Sequence, residues 1–175
     1  MVQSRGLGDV YKRQDVEELF DYNYEHRTID GYQYGKKITN EELLALECDF
    51  LIPAALGSAI NEGNVDSLNC KIIIEAANGP VTGEAADKLW KKKIAIIPDI
   101  LTNAGGVTVS YFEWVQNLQQ FKWPEDEINQ KLEQKMVAAF NEVYSVKQNK
   151  NVPMRIASFM VAIDRVSTAF NLREG

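Results

Sequence analysis

The sequence predicts an α/β protein, a partial doubly wound parallel sheet followed by a C-terminal helical segment. Three observations predict it. Short apolar runs at Asp49-Phe50-Leu51-Ile52-Pro53, Lys71-Ile72-Ile73-Ile74-Glu75-Ala76 and Ile94-Ala95-Ile96-Ile97-Pro98 recur at near-even spacing. Runs apolar at successive positions suit strands buried on both faces, as in a parallel sheet. A capped helical segment lies between the last two runs, and beyond residue 122 two long stripes repeat at helical period.

The elements follow in order. Residues 1–14 are read as a non-native tail, because Asp9-Val10-Tyr11-Lys12-Arg13-Gln14 is the in-frame translation of a transposon end common in sequencing libraries. They are set aside from the fold, and the natural protein is expected to begin upstream of Asp15. Asp15 then caps a short helix carrying Val16, Leu19 and Phe20. Asn23 to Gly35 is polar, tyrosine-rich and without period, and reads as a loop. Thr39 caps a helix bearing Leu43, Leu44 and Leu46, with Glu42 completing a capping box. Between the second and third strands Thr82 caps another helix, with Glu84 in its first turn and Ala85, Ala86, Leu89 and Trp90 inside. Lys91, Lys92 and Lys93 close it where cations complement the helix dipole, and read as a solvated helix end rather than a basic binding patch. The pattern is β-α-β-α-β with right-handed crossovers.

Pro124 with Glu125, Asp126 and Glu127 opens a helix striped by Ile128, Leu132, Met136, Phe140 and Val143. After Asn149-Lys150-Asn151, Pro153 starts another, striped by Ile156, Phe159, Met160, Ile163, Val166 and Phe170. Both stripes are expected to be core or subunit interface.

At 175 residues the chain can bury a proper core. Its net charge of -6 argues against nucleic acid or anionic membrane as partner. No apolar stretch has the length of a membrane span. Cys48 and Cys70 each border an apolar run and are expected as reduced, buried thiols. The single histidine, His26, lies in a polar stretch, so neither a metal site nor a thiol nucleophile is expected.

In doubly wound sheets ligands collect at the carboxyl ends of the strands. Here those ends are Pro53-Ala54-Ala55, Ala77-Asn78-Gly79-Pro80 and Thr102-Asn103-Ala104-Gly105-Gly106, all small or carrying a carboxamide. An asparagine can hydrogen-bond an amide or a ribose without adding charge. A lone Asn-Gly is an ordinary turn pair, but three converging ends favour a ligand. From Asn103 to Trp114 a strand, a glycine turn and a helix start follow one another, an arrangement suited to an anion because glycine admits close backbone approach and a helix start presents free N–H groups.

With these ends in hand, Cys48-Asp49-Phe50-Leu51-Ile52-Pro53-Ala54-Ala55, Glu75-Ala76-Ala77-Asn78-Gly79-Pro80-Val81-Thr82 and the run from Pro98 to Trp114 resemble the carboxyl-terminal half of the glutamate dehydrogenases, of the glutamate, leucine, phenylalanine and valine dehydrogenase family. The likeness spans residues 15–175. It implies a truncated Rossmann-like dinucleotide-binding domain over 15–122, with helices over 123–175 packed on it. It implies NAD or NADP as cofactor, with Pro53, Ala54 and Ala55 beside the nicotinamide ribose and Asn78 and Asn103 at the ribose and carboxamide. By the same resemblance Val107 and Ser110 receive the glutamate side chain, the serine hydroxyl donating to its distal carboxylate. Positions i and i+3 share a helix face, which agrees.

The implied activity is reversible oxidative deamination of L-glutamate to 2-oxoglutarate and ammonia, in a cytoplasmic homo-oligomer, a hexamer. Departures from the family pattern are as informative. The family's catalytic lysines and aspartate belong to a domain with no counterpart here, and the chain has no Gly-x-Gly-x-x-Gly turn or following acidic residue to choose the cofactor. No catalytic residue is therefore assigned, and the chain alone is expected to be inactive. The competing expectations are a non-catalytic nucleotide-binding or oligomerisation module of the same fold, and a branched-chain or aromatic amino-acid dehydrogenase.

Overall fold

The computed structural model describes residues 8–10 and 16–174. Its centre is a three-stranded parallel sheet, β3 (Cys48–Leu51), β4 (Cys70–Ile74) and β5 (Ala95–Ile97), with β4 in the middle. Ahead of it come β1 (Gly8–Val10), α1 (Val16–His26), β2 (Lys36–Ile38) and α2 (Asn40–Leu44). Helix α3 (Gly83–Lys91) connects β4 to β5. After β5 the chain is helical: α4 (Asp99–Thr102), α5 (Ala104–Gln119), α6 (Glu125–Lys150) and α7 (Met154–Glu174). The architecture is the expected α/β one, a parallel sheet followed by C-terminal helices.

The caps form as the local sequence dictates. Thr39 Oγ1 accepts from the Glu42 N–H at 3.1 Å while the Glu42 carboxylate accepts from the Thr39 N–H at 2.8 Å. Thr82 Oγ1 accepts from the Ala85 N–H. The lysine run ends α3, Lys93 sits at φ 60°, and Lys88 and Lys92 both reach Asp66. The sheet is sealed by Ile60, Val65, Leu68, Cys70, Ile73, Val81, Ala85 and Leu89. The buried Cys70 stands in register with Cys48, and burial pushes both thiols above the usual thiol range.

Several expectations are corrected. Helix α1 runs on through His26, so the irregular stretch after it is shorter than Asn23–Gly35. His26 stacks on Tyr22 one turn back, with ring centroids 4.1 Å apart. The cap proposed at Asp15 lies outside the described residues. Helix α2 stops at Leu44, leaving Leu46 in the turn that feeds β3. Only a single 3-10 turn, Val65–Ser67, lies between β3 and β4 where the pattern called for a helix. Gly8–Val10, inside the segment set aside as a tail, pairs antiparallel with β2, whose backbone edge offers ladder groups to any adjacent strand.

The C-terminal stripes, expected as core or subunit interface, are only partly core within this chain. Val143 of the α6 stripe is buried, but Phe140 is 38% exposed. On α7 the whole predicted stripe faces outward, from Met160 at 38% to Val166 at 71%. The face that packs is instead Met154, Ala157, Ser158 and Val161. Small residues win it because they let α7 come close to β5, α4 and α6.

Candidate functional site

All three parallel strands point their carboxyl ends at one side of the sheet, and a cleft of about 530 Å³ opens there. Its lining is Ala54, Ala55, Gly57, Ala76, Ala77, Asn78, Asn103 and Val107. The small side chains leave the backbone accessible to a flat ligand. Gly57 is needed small, since a Cβ there would come within 3.3 Å of the Asn78 carbonyl. No lining side chain is titratable. Such a surface can bind and orient, but it offers no general acid or base.

The two asparagines meet. Asn103 Nδ2 donates to Asn78 Oδ1 at 2.7 Å, across 25 residues of sequence. That bond fixes which face of each carboxamide turns to its neighbour. The pair keeps both donor and acceptor capacity, which suits a ligand that is itself both donor and acceptor, such as a primary amide or a vicinal diol. Asn78 precedes Gly79, whose φ of +55° is the left-handed conformation that the turn needs.

Pro53 does not line the cleft. It is buried, and its carbonyl accepts the N–H groups of Ala76 and Ala77 at 3.1 and 2.9 Å, tying the end of β3 to the end of β4. Ala54 and Ala55 do line it. Val107 lines it and is 70% exposed; Ser110 lies one turn further along α5, exposed and outside the lining. Gly105 and Gly106 are not in a turn, as the sequence suggested, but in the first turn of α5. Helix α4 forms first and passes the chain through Asn103 directly into α5, so no loop is left for them. Around Gly106 a Cβ would meet nothing within 4 Å.

Behind the cleft stands a polar cluster that the sequence reasoning missed. Glu75, fully buried at the end of β4, receives both oxygens' worth of contact from the Arg155 Nη2 of α7. Its Oε2 also accepts the Asp99 N–H at 2.9 Å. Arg155 Nη1 donates to Asp99 Oδ1 at 3.2 Å. Burial pushes the Glu75 carboxyl above its ordinary value, against the opposing pull of the Asp99 N–H and the Arg155 guanidinium. A glutamate closing an apolar strand was the available signal. Its partner lies 80 residues away and left no local trace. Among the described residues no group of three metal-ligating side chains is gathered, and no helix is long and apolar enough to cross a membrane.

Comparisons with known proteins bear on the family and the fold of the chain. The family model for glutamate/leucine/phenylalanine/valine dehydrogenases matches residues 1–174. The glutamate dehydrogenase of Thermotoga maritima is 51% identical over 97% of this chain and 41% of its own length. A cryptic catabolic NAD-specific glutamate dehydrogenase of Bacillus subtilis is 42% identical over 96% of this chain and 40% of its own. The crystal structure of glutamate dehydrogenase from Peptoniphilus asaccharolyticus superposes with a TM-score of 0.75 at 37% identity, over 91% of this chain and 35% of that one. The chain thus spans about two fifths of the length of the curated relatives it matches.

Proposed function

This chain belongs to the glutamate/leucine/phenylalanine/valine dehydrogenase family of oxidoreductases, and on that premise we propose that it is the cofactor-side part of a glutamate dehydrogenase. The reaction is reversible NAD(P)-dependent oxidative deamination of L-glutamate to 2-oxoglutarate and ammonia. One observation carries the reading: the strand-end cleft, with its bonded asparagine pair and a lining free of titratable groups. A nicotinamide carries a primary amide and a ribose diol, the donor-and-acceptor chemistry that this pair complements. When bound, it supplies the hydride acceptor.

The protein's own contribution is orientation. Asn78 and Asn103 hold the carboxamide and ribose, while Ala54, Ala55, Ala76, Ala77 and Gly57 leave room for a planar ring. Pro53 acts through its carbonyl, by keeping the ends of β3 and β4 together. Val107 and Ser110 of α5 meet the substrate side chain, the serine donating to the γ-carboxylate. Proton transfer needs a base that the cleft does not provide, so the 175 residues alone turn nothing over. The apolar stripe exposed on α7 supports assembly of the longer protein into a homo-oligomer, a hexamer by family resemblance.

A second reading has one observation in its favour. Ser110 stands outside the cleft lining while Val107 lines it, which would suit an apolar substrate side chain. Titration of the ¹⁵N-labelled chain separates the two. Nicotinamide mononucleotide should shift the Asn78 and Asn103 side-chain signals, and 2-oxoglutarate should then shift Val107 and Ser110. A larger response to the 2-oxo acid derived from leucine favours the apolar substrate. Measurable glutamate-dependent reduction of NAD or NADP by the chain alone overturns the assignment of catalysis elsewhere.

A further inference from the structure

We infer that Asp99 is the positioning residue of the cleft. The inference deepens the cofactor reading of Asn78 and Asn103 and rests on it for its functional meaning. Asp99 sits at the start of α4 and holds both asparagines at once. Its Oδ2 accepts the Gly79 N–H at 2.8 Å, pinning the turn that carries Asn78. Its backbone carbonyl accepts the Asn103 N–H at 3.0 Å. The 2.7 Å bond between the two carboxamides therefore closes a ring of contacts whose hub is one residue. Asp99 does not line the cleft, so it acts through the asparagines and not on a ligand.

The hub is itself held from two sides. Glu75 accepts the Asp99 N–H from β4, and Arg155 pairs with Oδ1, the carboxylate oxygen not engaged by Gly79. Arg155 also clamps Glu75, so one guanidinium spans the end of the sheet and the start of α4. The Glu75 side chain is fully buried, and those of Asp99 and Arg155 are 18% and 26% exposed. Charge-assisted bonds in such a setting hold geometry tightly. A planar fork presents Nη1 and Nη2 to two carboxylates in one fixed geometry, where a lysine offers a single rotatable ammonium. Helix α7 is thereby tied to the cleft although it contributes nothing to its lining.

The test uses the ¹⁵N-labelled chain and two variants, reading side-chain amide order at Asn78 and Asn103 without any ligand. Asp99→Asn keeps an oxygen for Gly79 but loses the charge; Asp99→Leu keeps the volume and loses both. In wild type and Asp99→Asn both carboxamides should be ordered, with order parameters of about 0.8, and in Asp99→Leu they should fall below about 0.6. A merely structural Asp99 would move both variants alike, because both break the ion pair with Arg155. If Asp99→Leu does not fold, Asp99→Ser replaces it, its hydroxyl being too short to reach Gly79. Unchanged order in the Leu or Ser variant overturns the inference, as does equal disorder in Asp99→Asn. Nicotinamide mononucleotide is then added to the wild type: its failure to shift either carboxamide overturns the cofactor reading alone, since the ligand-free measurement stands apart from it.

Discussion

The sheet half and the helical half of this chain dispose of their apolar residues in opposite ways. Around β4, Ile60, Val65, Ile73, Ala85 and Leu89 are completely buried. On α7, Ile163, Val166 and Phe170 are 58–71% exposed, although their spacing is as regular as that of any buried stripe. The contrast gives an apolar stripe its meaning. It marks a face that needs cover, without saying whether the cover comes from the same chain. Inside the sheet the cover is local, since α3 and the segment around Ile60 fold back on β4 within a few tens of residues. On α7 the intrachain contact is made by the opposite face, where Ala157 and Ser158 allow close approach and Arg155 reaches Glu75.

The largest expected effect lies where the halves are joined. Arg155→Leu leaves Glu75 and Asp99 without their cation, and chemical denaturation should show a loss of about 3–5 kcal/mol, the cost of breaking a buried pair by one partner. A loss under about 1 kcal/mol would mean that α7 docks without the clamp. The same network sets a smaller pH effect. Glu75 has its folded pKa raised by burial, so between its ordinary value and the folded one the native state binds more protons than the unfolded state. Stability from this group then falls as pH rises through that window. The Glu75→Gln chain should lack this slope when both are melted across the acid range, and parallel curves would contradict it.

Next, Ile73→Ala, in the fully packed core, should cost about 2–5 kcal/mol by the same denaturation measurement. Thr39→Ala removes one half of an exposed capping box and should cost about 1 kcal/mol. The smallest effect is the most diagnostic for the comparison. Ile163→Ala on the open face of α7 should change the stability of this chain by no more than about 0.5 kcal/mol. A large loss there would show that the α7 stripe is already covered, and the contrast between the two halves would disappear.

Much of the fold was legible because it is written locally. Three apolar runs, the Thr39–Glu42 box, the Thr82 cap and the Pro124 start each depend on residues within one helical turn or one strand. The cleft was legible too: Ala54, Ala55 and Asn78 follow strand ends that a parallel sheet must gather on one side, and α5 carries Val107 to the same place. Ser110 was placed on the right helix, yet the structure sets it beyond the lining. Helix α4 was illegible because four residues carry no period. Its start depends on a Glu75 carboxylate 24 residues away. The glycines Gly105 and Gly106 misled for the same reason, since α4 absorbs the loop they would have formed.

Most of the elements, the direction of the strands and the chemistry collected at their ends were thus set by the sequence alone. These follow from propensity, capping and alternation, which act over a few residues. Which face of α7 packs inward, that Asn103 donates to Asn78, and that Asp99 stands between them beside Arg155 were settled by packing. Those choices depend on distances between segments 20 to 80 residues apart, where close packing and the burial of charge select one arrangement among many that the local pattern allows.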